Sequence, residues 1–159
     1  MKVYLAIILL MFIPFKVYAD DGAEDAAKTL GWLSIGIGVI ANVMFITYNR
    51  LRKILVTNIG NEMSRTLALA YKPMLNMHIM LNVIGYIAGM AHGLLLIRYL
   101  EPISLSLAIV MSVLIASGIM LRYSSSRNAK LFNRLLHGQA LLTLMLIILI
   151  LLHIATAED

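Results

Sequence analysis

Residues 77–93 read MHIMLNVIGYIAGMAHG. The stretch has no formally charged side chain, yet it holds His78 and His92, fourteen residues apart. Lipid offers no hydrogen bonds to a bare backbone, so a run this apolar crosses a membrane as a helix. Fourteen residues advance a helix by about 21 Å and return it to within about 40° of its starting face. Both imidazoles therefore fall near one stripe, at two depths. Gly85 and Gly89 fall on the same stripe, each within about 20° of His78. They leave room there either for a flat ligand pressed against the helix or for a neighbouring helix, since they also form a small-xxx-small pair.

The rest of the chain fits a membrane setting. Of its 159 residues, 61% are hydrophobic and 13% are charged, against about a quarter charged in a typical soluble domain. There is no cysteine, which excludes disulfides, thiolate metal sites and thioether-linked haem. The net charge of +5 sits at the ends of apolar segments. No basic run with interleaved aromatics points to nucleic acid. Residues 1–19, MKVYLAIILLMFIPFKVYA, have the form of a secretory signal peptide: Lys2, a short apolar core, then Val17-Tyr18-Ala19 as a cleavage site. An acidic segment, 20–29, would follow it outside the cytoplasm.

Four apolar segments come next, at about 30–48, 73–99, 103–123 and 132–156, each near the twenty residues a span needs. The expected fold class is an all-α membrane protein, a four-transmembrane-helix bundle after the signal peptide, with 30–159 as one domain. Trp32, Tyr48, Tyr99 and Tyr123 mark span edges as interfacial aromatics. Pro73 suits a first helical turn. Residues 49–72, with Ile54, Leu55, Ile59, Met63, Leu67 and Tyr71 at roughly helical spacing, read equally as a surface amphipathic helix or as a solvated loop. Arg50, Arg52, Lys53, Arg65 and Lys72 lie between the first two spans, and Arg122, Arg127, Lys130 and Arg134 between the last two. The positive-inside rule puts both loops in the cytoplasm and both termini outside a cell membrane.

All four histidines, His78, His92, His137 and His153, lie on the second and fourth spans. Ionisable groups inside a membrane mark functional sites by default. These two spans run parallel, so the histidines sort by depth into a basic-end pair, His78 with His137, and an opposite pair, His92 with His153. An imidazole on each face of an iron is what six-coordinate haem requires. The sixteen residues from His137 to His153 turn an ideal helix by about 160°. A bulge or an unwound turn is needed to bring both onto one face; otherwise only one haem is held.

With two histidines on each of two parallel helices and His-Gly at 92–93 and 137–138, the chain resembles membrane dihaem b-type cytochromes. It is similar to the ferric-reductase-like transmembrane domain and to the cytochrome b subunit type over about 73–156. The resemblance implies two haem b groups with axial ligands His78 and His137, and His92 and His153, and electron transfer between the membrane faces. It also implies a redox partner protein or a membrane quinone, and a place as a subunit of a larger oxidoreductase complex rather than a stand-alone enzyme. Arg134, one turn before His137, is a candidate partner for a haem propionate or a plain membrane anchor, as is Lys72; Arg98 has the same two readings at the other face. Asn76, Asn82 and Gln139 read as interhelical hydrogen-bonders or as the lining of a quinone pocket. The eleven methionines are scattered filler. Two other classes remain as alternatives: a haem-free assembly or packing subunit whose histidines bond between helices, and a histidine-dependent metal permease.

Overall fold

The computed structural model describes residues 22–58, 61–138 and 140–157. The expected signal peptide lies outside the described residues, as do Asp20 and Asp21 of the acidic segment, Gln139, and the last two residues. Among the described residues the protein is all-helical. The helices are α1 (Gly22–Asn58), α2 (Asn61–Leu95), α3 (Pro102–Tyr123), α4 (Arg127–His137) and α5 (Ala140–Ala157), with a 3-10 turn at Ile97–Tyr99 before α3. α1, α2 and α3 are each long and apolar enough to cross a membrane; α4 and α5, bent by 45° at the break between them, make a fourth span if the pair counts as one, so the described helices offer three to four spans. The fold is that of a multi-pass membrane protein.

Two expectations need correction. Residues 49–58 and 61–72 are helical and prolong α1 and α2, which excludes the solvated-loop reading for them; residues 59 and 60 lie outside the described residues. Residues 29–49 of α1 are free of formal charge and cover about 30 Å, so the basic tip carrying Arg50, Arg52, Lys53, Arg65 and Lys72 extends past the hydrocarbon. Pro73 accordingly lies inside α2 instead of opening it. Proline has no N–H to give the carbonyl one turn back and normally weakens a helix. Here the helix runs through because the tip is knitted by aromatic packing. Phe45 and Tyr48 of α1 both meet Tyr71, with ring centroids 6.3 and 6.5 Å apart. The Tyr48 hydroxyl donates to the Leu67 carbonyl, and the Arg52 guanidinium lies 4.7 Å from the Tyr71 ring centre.

The bundle packs through small residues. Its buried apolar side chains are Ala27, Ala41, Ala88 and Val110, joined by Ser34, Ser117 and Asn133, while large aliphatic side chains such as Val39, Val43, Ile109 and Leu151 face outward. That inversion of the soluble pattern is expected where lipid covers the outside and close helix contact, not oil-like burial, holds the inside. The tightest seam is between α1 and α2. Ser34 Oγ donates to the Gly85 carbonyl at 2.7 Å, and Asn42 Nδ2 donates to Asn82 Oδ1 at 3.0 Å. A methyl group on Gly89 would meet Ser34 Oγ at 2.8 Å, and one on Gly85 would meet the Ser34 carbonyl at 3.3 Å.

This seam gives a stability prediction. Gly89→Ala gains helix propensity of up to about 1 kcal/mol, but the overpacking against Ser34 costs about 1–3 kcal/mol. Its thermal unfolding midpoint in detergent falls below wild type. Ser34→Ala removes the clashing oxygen, so the double variant recovers part of the loss; a double variant no better than Gly89→Ala would contradict the seam.

Candidate functional site

The hairpin register carries the α2 histidines to the α1 backbone. Ala27 and Ala41 are fourteen residues apart, as are His92 and His78, and in an antiparallel pair equal spacings meet. His92 Nδ1 lies 2.8 Å from the Ala27 carbonyl oxygen and His78 Nδ1 lies 3.3 Å from that of Ala41. Both alanines are almost fully buried; their small side chains let α2 approach closely enough for an imidazole to reach main chain. The His78 ring also stacks on Phe45 at 4.5 Å between centroids, tilted by 23°. Asn82 Nδ2, one turn on, sits 2.8 Å from the His78 carbonyl oxygen and 3.2 Å from its Nδ1.

α3 does the same for the other two. His137 Nδ1 lies 3.1 Å from the Leu114 carbonyl oxygen and 3.4 Å from Ser117 Oγ, and His153 Nδ1 lies 3.1 Å from Ser104 Oγ. The sixteen-residue spacing is resolved by the break after His137, where Gly138 caps α4 by donating its N–H to the Arg134 carbonyl at 3.0 Å. The bend foreshortens the path to His153 and resets the rotation, so no bulge near His153 is needed.

The result is two histidine pairs across the bundle. The His78 and His137 rings have centroids 6.3 Å apart and planes at 80°. The His92 and His153 rings have centroids 5.8 Å apart and planes at 80°. All four rings are half-buried. At His92 and His137, Nδ1 faces a backbone carbonyl, which can only accept, and an Nδ1–H donated there leaves the Nε2 lone pair available. A separation of about 6 Å is that of an edge-to-face ring contact and equally that of two imidazoles on one metal. Two metal–nitrogen bonds of about 2 Å, with about 1 Å more from each nitrogen to its ring centre, put trans imidazoles about 6 Å apart. Each pair offers two ligands, and among the described residues no group of three His, Asp or Glu side chains comes together. Two imidazoles complete a haem, whose macrocycle supplies the remaining four nitrogens; they fall short of the three or four protein ligands a bare zinc ion takes.

The space beside Gly85 and Gly89 is taken by α1, as the packing reading of their spacing requires. The glycines that make room for imidazoles stand opposite: a methyl on Gly31 would meet His92 Nδ1 at 3.1 Å, and one on Gly118 would meet His137 Cε1 at 2.9 Å. Only the matched spacing of Ala27 and Ala41 with His92 and His78 was there to be read. Arg134 is exposed on α4, one turn before His137. Lys72 and Arg98 are also exposed. Asn76 accepts from Arg122 Nη2 at 3.3 Å, and Asn82 bonds to Asn42, so both serve interhelical contacts.

The pairing is testable without any cofactor, because the chain has no native cysteine. His78→Cys with His137→Cys, and His92→Cys with His153→Cys, are each expected to cross-link with a short bifunctional thiol reagent, read by mass spectrometry of the digest. The crossed combinations, His78 with His153 and His92 with His137, lie at different depths and should not. Efficient linking of a crossed pair would refute the arrangement. No family model, curated protein or solved structure matches this chain.

Proposed function

We propose that the protein is a transmembrane electron carrier holding two haem b groups, one between His78 and His137 and one between His92 and His153. The observation that carries this reading is the pair of near-perpendicular imidazole couples, each ring engaged at Nδ1 from the neighbouring helix. Bound there, each haem supplies a one-electron ferric/ferrous couple with no open coordination position for a substrate.

The chain's own part is positioning. α1 and α3 act as backing helices: the carbonyls of Ala27, Ala41 and Leu114 and the Ser104 hydroxyl orient the rings and raise their basicity as ligands. Fourteen residues of α2 set the two sites about 21 Å apart along the helix, which spans most of the hydrocarbon thickness. The large outward-facing aliphatics keep bulk water from both. By the positive-inside rule the His78–His137 site belongs to the cytoplasmic half and the His92–His153 site to the outer half of the cell membrane. The donor is then a membrane quinol or a reductase, and the acceptor an extracytoplasmic redox protein, in a larger complex.

A permease reading would need more ligands at each site than two. A haem-free packing role is the reading that a negative experiment would leave. Protein purified from haem-replete cells should give a reduced-minus-oxidised spectrum with a b-type α band and about two haems per chain. His92→Ala or His153→Ala should remove one and leave the other. Gly118→Ala, which drives a methyl against His137, should leave the haem count of the outer pair intact while weakening the inner one. A flat spectrum rejects the proposal.

A further inference from the structure

We propose that α4 is an interfacial helix clamped by anionic phospholipid headgroups, and that this clamp sets the reach of His137 towards His78. The haem consequence rests on the reading above; the seat of the helix does not.

The argument starts from length. α5 has 18 residues, about 27 Å, which alone comes close to crossing the hydrocarbon. α4 has 11 residues and cannot cross. The 45° bend between them frees α4 to lie nearer the membrane plane. Its side chains then sort into three faces. Arg127, Lys130 and Arg134 fall within an arc of about 60°. Leu131, Leu135 and Phe132, with the first-turn Asn128 among them, occupy a separate arc of about 100°; the three apolar side chains are 54%, 57% and 62% exposed in that order. Asn133, Leu136 and His137 form the third face, with Asn133 buried and bonded to the Ala129 carbonyl at 2.7 Å and His137 on α3.

Three exposed apolar side chains beside three cations, with no carboxylate anywhere on the helix, are what an interfacial helix presents: the aliphatic arc enters the acyl layer and the cations reach headgroups. Positive-inside placement alone explains basic residues, but not their confinement to one arc beside an apolar one. The complement is an anionic phosphodiester surface, such as phosphatidylglycerol or phosphatidylserine. α4 ends at His137, whose ring also meets the Leu114 carbonyl, Ser117 Oγ and the His78 ring. Lipid at Arg127, Lys130 and Arg134 therefore holds the helix whose last residue completes the inner pair. His153, on the apolar helix α5, has no cation cluster beside it and no such dependence.

The test uses full-length protein with single cysteines introduced at 131 or 135 and nitroxide-labelled. Accessibility to oxygen and to a water-soluble nickel complex is measured in vesicles of phosphatidylglycerol with phosphatidylcholine, and of phosphatidylcholine alone. In the anionic vesicles both labels should favour oxygen. In phosphatidylcholine, or with Arg127→Gln and Lys130→Gln, the ratio of seated to released helix should fall; removing two surface cations corresponds to about thirtyfold. In haem-loaded protein the same change should convert one of the two haems from six-coordinate low-spin to high-spin and leave the His92–His153 one unaltered. Depths that ignore lipid charge, or labels that favour nickel in anionic vesicles, overturn the seat. Depths that respond while both haems stay low-spin overturn the clamp on His137. If no haem binds at all, the functional reading falls and the nitroxide depths still decide the interfacial seat.

Discussion

The arrangement depends on how closely α1 and α2 approach. Ser34, Gly85 and Gly89 let the two backbones nearly touch, and buried Ala27 and Ala41 keep the carbonyls at those depths reachable. Only then can His92 and His78 anchor their Nδ1 atoms to main chain of a neighbouring helix. Carbonyls already inside a helix retain a second lone pair, so accepting from an imidazole costs the helix nothing. In lipid such a bond also meets a polar group that would otherwise be costly to bury. With α2 fixed in this way, the opposing rings need only be delivered from α4 and α5 to about 6 Å, and α3 does this from the other side.

Much of this was legible because membrane constraints are severe. Apolar length, the charge pattern of the ends and the parallel course of the second and fourth spans were enough to sort four histidines into His78 with His137 and His92 with His153, and the ring pairs in the structure are the same two. Periodicity on α2 was reliable because that helix is unbroken through Met77–Gly93. Element ends were less legible. The basic hairpin tip is polar enough to pass for a loop, and its helicity comes from contacts among Phe45, Tyr48, Arg52 and Tyr71 that are 19 or more residues apart in sequence.

The sixteen-residue interval on the last span was visible as a conflict, and its resolution was not. A break at Gly138, with a 45° bend, turns one apparent helix into an amphipathic segment and an apolar one. The clue was compositional: Arg127, Lys130 and Arg134 precede the break and no formal charge follows it until Glu158. Clearance was illegible for a different reason. Gly31 and Gly118 matter through residues 61 and 19 positions away, and no single-helix periodicity reports what an opposing helix presents.

In the proposed electron carrier each histidine pair would hold one iron, with its ring planes crossed as they are in the structure. Crossed planes leave the two iron d orbitals that mix with the imidazole π systems nearly equal in energy, and near-degeneracy makes a low-spin ferric centre strongly anisotropic. The direct measurement is low-temperature electron paramagnetic resonance of the oxidised, haem-loaded protein. Planes at 80° in both pairs predict two highly anisotropic low-spin signals with a large leading g value. A rhombic signal of the kind given by parallel imidazoles would contradict the ring geometry, and the absence of any low-spin ferric signal would contradict the bis-histidine sites themselves.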